Sequence, residues 1–566
     1  MANGFCSVMR SFTTIPVILH PPEADEGSPD HEILRLRLRM TSWFRMTFFL
    51  VFFSFVFFVS CANQDSVVPD TLRIGLSAEP DTLNPITASD AYASRINSYV
   101  HDSLIDRDLD TLEFIPKLAT HWKISSNHLE YIFYLRKGVI WHDGHPFTAD
   151  DVVFSFETIL NPKVEAPFLR VYYADISKVE KIDDYTVRFV YSKPYFLALS
   201  MCGSIPLIPK HIYDTETAFS QNPANRSPIG TGPYRFIEWK TGKRIILERY
   251  ENYWDKKPAI KKMQFKIITD DTVTLQVLKK GELDLASIRP IQWIKQTNTK
   301  KFEESFYKLE YYVPGYNYIG WNNVSPLFSD AKVRIAMTLM IDRKKILEKI
   351  NFSLGKIVES PFFIGTDQYN TSLVPHPYDP QKARILLSEA GWKDTNGDGW
   401  LDKNQITFRF NFLYPSGSKF GERLGPIMKE DFKKVGIDMS IERMEWAAFL
   451  DRIEKKNFDA TALGWSSSFE TDPYQVWHSS QAKIDRGSNF ISFENPEADF
   501  LMEKAKVEFN EAKRNKLYYE LQDIISREQP YTFLFVNSSL VVVSKRFENV
   551  VVHKAGIETK EWVPKN

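Results

Sequence analysis

The densest run of reactive side chains is Leu463-Gly464-Trp465-Ser466-Ser467-Ser468-Phe469-Glu470-Thr471-Asp472-Pro473-Tyr474-Gln475-Val476-Trp477-His478-Ser479-Ser480, where rings, hydroxyls and two acids share eighteen residues. Trp465 and Tyr474 offer ring faces for stacking apolar groups or cations. Ser466 and Ser468 supply small hydrogen-bonding groups, and Glu470 or Asp472 can receive a cation such as a peptide α-ammonium through charge-assisted hydrogen bonds. Taken by residue type alone, the same rings also serve as packing.

Two other stretches carry metal-ligating residue types. Trp141-His142-Asp143-Gly144-His145-Pro146 puts two imidazoles beside a carboxylate, but Asp-Gly is a turn signal and no third histidine is near in sequence. A solvated turn is the simpler reading. Asp394-Thr395-Asn396-Gly397-Asp398-Gly399-Trp400-Leu401-Asp402 resembles the start of an EF-hand loop, with Asp394, Asn396, Asp398 and Asp402 at positions one, three, five and nine and Gly399 at six. Position twelve is Gln405, which cannot act as the bidentate acid a calcium loop uses. The stretch therefore reads as an Asx-rich turn, with calcium the lesser alternative. No other metal and no cofactor is expected.

Motifs whose spacing would signal an enzyme are missing. There is no GxxxxGK[ST] phosphate loop, no GxSxG nucleophile elbow and no HExxH pair. Gly230-Thr231-Gly232-Pro233-Tyr234 is glycine-rich, but its proline removes an amide that a phosphate cradle would use, so it reads as a tight turn or hinge. With 71 basic against 72 acidic side chains, and no dominant basic stripe, the footprint of a nucleic-acid binder is also absent. Cys6, Cys61 and Cys202 lie too far apart for a CxxC pair; Cys202, beside Met201 and Leu199, reads as core filler.

These groups need a scaffold, and 566 residues are too many for one hydrophobic core. Strands are expected at Leu72–Leu76, at Leu129–Leu135 and at Tyr185–Val190, where apolar residues alternate. Thr148-Ala149-Asp150-Asp151 predicts a capped helix with Val153, Phe156, Ile159 and Leu160 facing inward. Helices are likewise predicted over Asp330–Ile350, after Asp379-Pro380 and after Asn495-Pro496, followed by a strand over Tyr531–Val543. Alternating strands and helices argue for α/β lobes.

The N-terminus carries an address. Arg45 precedes Met46–Ser60, fifteen uncharged residues with seven phenylalanines. As a helix they would rise ~22 Å, short of the ~30 Å hydrocarbon layer, so an export signal fits better than a membrane span. Val59-Ser60-Cys61-Ala62-Asn63 then resembles a bacterial lipoprotein box, except that Phe58 stands where leucine is commonest; lipidation of Cys61 is the expectation. Residues 1–39 are expected outside the mature fold, 40–60 as the signal and 61–69 as the anchored linker.

Ordered segments across Thr71–Val551 resemble the extracytoplasmic solute-binding proteins of peptide and nickel ABC transporters, the family of oligopeptide- and dipeptide-binding proteins. They are Glu79-Pro80-Asp81-Thr82-Leu83-Asn84-Pro85, Leu135–Gly138, Trp141–Gly144, Thr148–Val152, Gly230–Tyr234, Lys280-Gly281-Glu282-Leu283-Asp284, Val333-Arg334, Ile341-Asp342-Arg343 and Asn495-Pro496. The resemblance implies a two-lobed α/β clamshell of the type II periplasmic-binding-protein kind, with an additional domain inserted in the first lobe. Mapped onto this chain, lobe one spans 70–112, 223–308 and 527–566, the added domain 113–222 and lobe two 309–526. It also implies a non-enzymatic, monomeric receptor outside the cytoplasm that delivers short peptides to a permease, and ligand contact by the loop after Gly464-Trp465. In several peptide-binding relatives an acid three residues beyond that tryptophan holds the ligand ammonium. Here that position is Ser468, so the role passes to Glu470 or Asp472. The alternative ligands are a nickel chelate, haem or an oligosaccharide, for which His478 is the only specific support. An envelope hydrolase and a sensor or chaperone without transport are the remaining readings.

Overall fold

The computed structural model describes residues 70–484 and 487–565; Cys61, the signal and the linker lie outside them. The first lobe is built on a mixed sheet whose strands run Phe306–Tyr312, Phe535–Ser544, Leu285–Ser287, Thr71–Leu76, Lys262–Ile267, Arg244–Arg249 and Tyr234–Lys240. Thr71–Leu76 pairs in parallel with Lys262–Ile267, joining residues almost two hundred positions apart. Asp284 clips this assembly together: its buried carboxylate takes Arg73 at 2.8 Å and Arg546 at 2.6 Å. Burial alone would raise its pKa, but the hydrogen bonds from the two guanidiniums hold it below the usual carboxylate value.

The second lobe carries a five-stranded sheet in the order Asp438–Met444, Arg409–Pro415, Ala460–Ser466, Gly315–Trp321 and Tyr531–Phe533. Helices Ala331–Leu339, Pro380–Glu389 and Lys419–Lys433 cover it through Val333, Met337, Leu387, Leu424 and Phe432. Buried Arg343 meets buried Glu359 at 2.6 Å, a pair whose desolvation is offset only because both ends are also hydrogen-bonded. The predicted helix over Asp330–Ile350 is in fact two, Ala331–Leu339 and Arg343–Asn351. Asp342 breaks it by capping the second with its side chain, which accepts the Lys345 amide at 3.0 Å.

The added domain packs helix Ala149–Leu160 on an antiparallel sheet ordered Ala119–Ile124, Glu130–Leu135, Thr186–Tyr191 and Ile176–Asp183. Tyr131, Phe133 and Leu135 face its core as the alternation predicts. The Thr148 capping box forms, with the Thr148 amide donating to Asp151 at 2.9 Å. Phe156 and Ile159 are buried with Val152, while Val153 and Leu160 pack at the margin. Cys202 is fully buried there, and burial pushes its thiol pKa far up, consistent with core filler.

The chain crosses from the first sheet to the second at Val313-Pro314 and returns at Leu534, which also divides the expected Tyr531–Val543 strand in two. These crossings fall later than the boundaries expected at 308/309 and 526/527. Pairing with Phe535–Ser544 keeps Phe306–Tyr312 in the first sheet, and pairing with Gly315–Trp321 keeps Tyr531–Phe533 in the second. Gly230 and Gly232 do not form a free hinge. A Cβ on Gly230 would stand 1.8 Å from the Val100 carbonyl oxygen and one on Gly232 2.7 Å from that of Tyr99, so glycine is required by close packing against the end of helix Ala91–Val100.

Candidate functional site

Strand Ala460–Ser466 leaves the second sheet and delivers the Trp465–Tyr474 loop to a cavity of about 700 Å³, within the usual range for small-ligand sites. Its opposite wall comes from the added domain through Leu169, Tyr172, Tyr195, Leu197 and Met201. The cleft is closed over it. Tyr195 Oη donates to Asp472 Oδ2 at 3.1 Å, the Phe196 amide to the Lys506 carbonyl at 3.0 Å, and the rings of His128 and Phe509 stack at 3.6 Å.

Of the residues proposed from sequence, Trp465, Ser466, Ser468, Asp472 and Tyr474 all line this cavity. Trp465 is fixed by stacking on Phe490, with ring centres 5.6 Å apart and planes 9° from parallel. Ser468 turns its hydroxyl to the Glu470 carbonyl at 2.5 Å, which tightens the loop. Glu470 lines an adjoining recess of about 310 Å³, where its carboxylate takes Arg514 at 2.8 Å and Arg107, from the first lobe, at 3.3 Å.

Two acids line the cavity, Asp175 and Asp472; Asp175 is met by Lys193 at 3.2 Å and by Lys506 at 3.9 Å, whereas Asp472 is held by uncharged donors. It accepts from Tyr195 Oη and from the Tyr474 amide at 3.0 Å. Burial raises its pKa, opposed by the amide hydrogen bond and by the field of Lys506. The Lys506 ammonium lies 4.7 Å from the ring centre of Tyr474, 5.0 Å from that of Tyr195 and 3.9 Å from the Asp175 carboxylate, placing a cation, two rings and two acids around one space. Such a wall can hold a zwitterionic ligand with an apolar body.

His478 does not line the cavity: it is buried beneath Tyr474, with ring centres 4.1 Å apart, and Nδ1 sits 2.8 Å from Ser480 Oγ. The Asx-rich loop is closed on itself. Asp394 accepts the Gly397 and Gly399 amides, Asn396 the Asp398 amide, Asp398 the Trp400 amide, and Asp402 the Thr395 amide and hydroxyl. His142 turns inward to the Gly232 carbonyl at 2.9 Å, and burial pushes its pKa down to about 4.

Sequence reasoning missed Tyr195, Met201, Tyr316 and Lys506. Met201 sits next to Cys202 on the short helix Ala198–Gly203, which turns Cys202 into the core and Met201 toward the cavity.

Two α/β lobes joined by paired crossings and closed on one cavity define a type II periplasmic-binding-protein clamshell with an added domain. The description "Bacterial extracellular solute-binding proteins, family 5 Middle" matches residues 113–485. The oligopeptide-binding protein AppA of Bacillus subtilis is 32% identical over 494 residues, covering 85% of this chain and 89% of AppA. The structure of that protein in complex with a nonapeptide is similar at TM-score 0.74 and 30% identity, covering 88% of this chain and 99% of the other. NikZ of Campylobacter jejuni in complex with Ni(L-His) gives TM-score 0.74 and 28% identity, with coverage of 88% and 100%. The chain belongs to the family 5 bacterial extracellular solute-binding proteins, and is thus an extracytoplasmic binding protein of ABC transport rather than an enzyme. No helix among the described residues is long and apolar enough to cross a membrane.

Proposed function

We propose that the protein captures short peptides between its lobes, working as a monomer held to the membrane by a lipid on Cys61, and passes them to the permease of an ABC importer. The observation that carries this reading is Asp472: a desolvated acid in the wall of an aromatic cavity, held by a hydroxyl and an amide but by no guanidinium. A peptide α-ammonium supplies the missing counter-charge. Lys506, 3.9 Å from Asp175, can turn to a ligand carboxylate, and Ser466 offers a hydroxyl to peptide N–H and C=O groups. The kinship with AppA, whose structure holds a nonapeptide, adds to this.

The mechanism is a population shift. Ligand gains contacts with both walls only when the cleft is closed, so binding favours the closed state that the permease would read. No bond is broken. Anchoring rests on the Val59–Asn63 sequence. A metal-chelate ligand would have drawn on His478, and that imidazole lies behind Tyr474.

The test is to purify the protein without added ligand, denature it and identify the released molecules by mass spectrometry. Mixed short peptides are expected. A single metal chelate, haem or sugar would replace the peptide reading.

A further inference from the structure

The turn at Trp141–Pro146 and the short helix Lys210–Tyr213 lie far apart in sequence but meet at the edge of the added domain. The turn is tight: the Trp141 amide donates to the His145 carbonyl at 2.8 Å and the Gly144 amide to the Trp141 carbonyl at 2.9 Å, with Gly144 at φ +92°. It sets Asp143 and His145 side by side. The helix is held by Asp151, which accepts the Lys210 amide at 2.9 Å while its other oxygen caps helix Ala149–Leu160. Both backbones are therefore fixed by hydrogen bonds independent of the side chains they present.

Those side chains converge. His211 Nε2 is 2.6 Å from Asp143 Oδ2, His145 Nδ1 is 3.3 Å from Asp143 Oδ1, and the two imidazoles stack at 4.0 Å. One ligand atom from each residue lies within 4.8 Å of the others, and all three residues are exposed. Around an ion bonded at about 2.0–2.1 Å, donors stand ~3.3 Å apart, so completing the set takes side-chain rotations that unstack the two imidazoles, with the more exposed His145 the freer to turn.

We propose that Asp143, His145 and His211 form a binding site for a divalent transition-metal ion, separate from the peptide cavity. Two imidazole nitrogens and one carboxylate oxygen suit zinc, cobalt, nickel or copper rather than calcium or magnesium. The exposure of all three residues leaves room for water in the remaining coordination positions. The ion clips the 141–146 turn to Lys210–Tyr213 and so braces the added domain. This inference does not depend on the peptide reading.

The test uses the full chain, carrying no histidine tag and stripped with a chelator. Cobalt(II) and zinc(II) are titrated, with cobalt followed by its visible d–d absorption and zinc by competition against a chromophoric chelator. One saturable equivalent is expected, together with a higher unfolding temperature in the presence of zinc. Because even outer-shell partners are worth about 10–100-fold in metal affinity, His145→Ala and His211→Ala should each weaken binding more than tenfold, and His478→Ala should leave it unchanged. The conservative His145→Gln and His211→Gln serve the same end should an alanine variant fold poorly. Absence of one-to-one binding by the unmodified chain, or undiminished binding by the His145/His211 double variant, would overturn the proposal.

Discussion

Glu470 and Asp472 stand two residues apart on one loop, and their surroundings give them opposite work. Glu470 is neutralised by Arg514 of its own lobe and Arg107 of the other, so its charge is spent on holding the closed state. Asp472 accepts from a tyrosine hydroxyl and an amide, with Lys506 and His478 acting through space. A carboxylate compensated within the protein stabilises a conformation. One left undercompensated in a desolvated wall costs stability and keeps its field for an incoming cation.

The strongest way to break this distinction is Asp472→Asn. Peptides with a free N-terminus should bind roughly 30- to 100-fold more weakly, about 2–3 kcal/mol, the size expected for losing a buried charge-assisted contact. N-acetylated peptides should lose little, and calorimetric titration distinguishes the two. Equal losses for both would remove the ammonium assignment. The empty variant should unfold at no lower temperature than the parent at pH 7, because an acid whose desolvation is unfavourable has been discharged.

The pH dependence sharpens the same point. Burial raises the folded-state pKa of Asp472, so between its unfolded value near 3.9 and that raised value the folded protein binds more protons. The contribution of this group to stability is fully present below the unfolded pKa and is lost as pH rises through the folded one. Ammonium binding needs the carboxylate and runs the other way, with affinity rising through the same window and falling again above about pH 8 as the α-amine deprotonates. Titrations from acid to neutral pH should show the rise in the parent and a flat profile in Asp472→Asn.

What the sequence made legible were residues with local or architectural duties. Thr148, Asp379 and Asn495 cap helices that their own neighbours announce. Asp284, Arg343 and Asn84 lie in the segments that carry the family resemblance, and each has an architectural duty: Asp284 and Arg343 close buried ion pairs, and Asn84 ties its loop to Asn225 at 2.7 Å. The loop from Trp465 to Tyr474 was legible as a candidate site by its chemistry, and it lines the cavity. The difference between its two acids was not, since Tyr195 reaches Asp472 across 277 positions and Arg107 reaches Glu470 across 363. His211 escaped notice for the same reason, 68 positions from Asp143.

Glu470→Gln tests the other half of the comparison and should act mainly on stability. It leaves the Arg514 guanidinium, whose side chain is only 5% exposed, without its counter-charge, although the Glu508 carbonyl still accepts from it at 2.9 Å. A loss of about 1–2 kcal/mol in urea unfolding is expected. Free and N-acetylated peptides should weaken together, since closure is affected rather than the ammonium contact. A selective loss for free N-termini would transfer the ligand role from Asp472 to Glu470.

The smallest effect belongs to Arg107→Gln, which cuts the arm of the latch that crosses between lobes. That pair is 3.3 Å long with side chains 27% and 25% exposed, so screening limits it to roughly 0.2–1 kcal/mol. Spent on an open-to-closed equilibrium, such an amount alters the closed-to-open ratio by about 1.4- to 5-fold. Peptide affinity should fall by a similar factor or less, and the difference from the parent should shrink as salt is raised, because a surface pair is screened where a buried one is not. A salt-independent loss as large as that of Asp472→Asn would show instead that Arg107 touches the ligand, and that the recess it shares with Glu470 is part of the binding site rather than its latch.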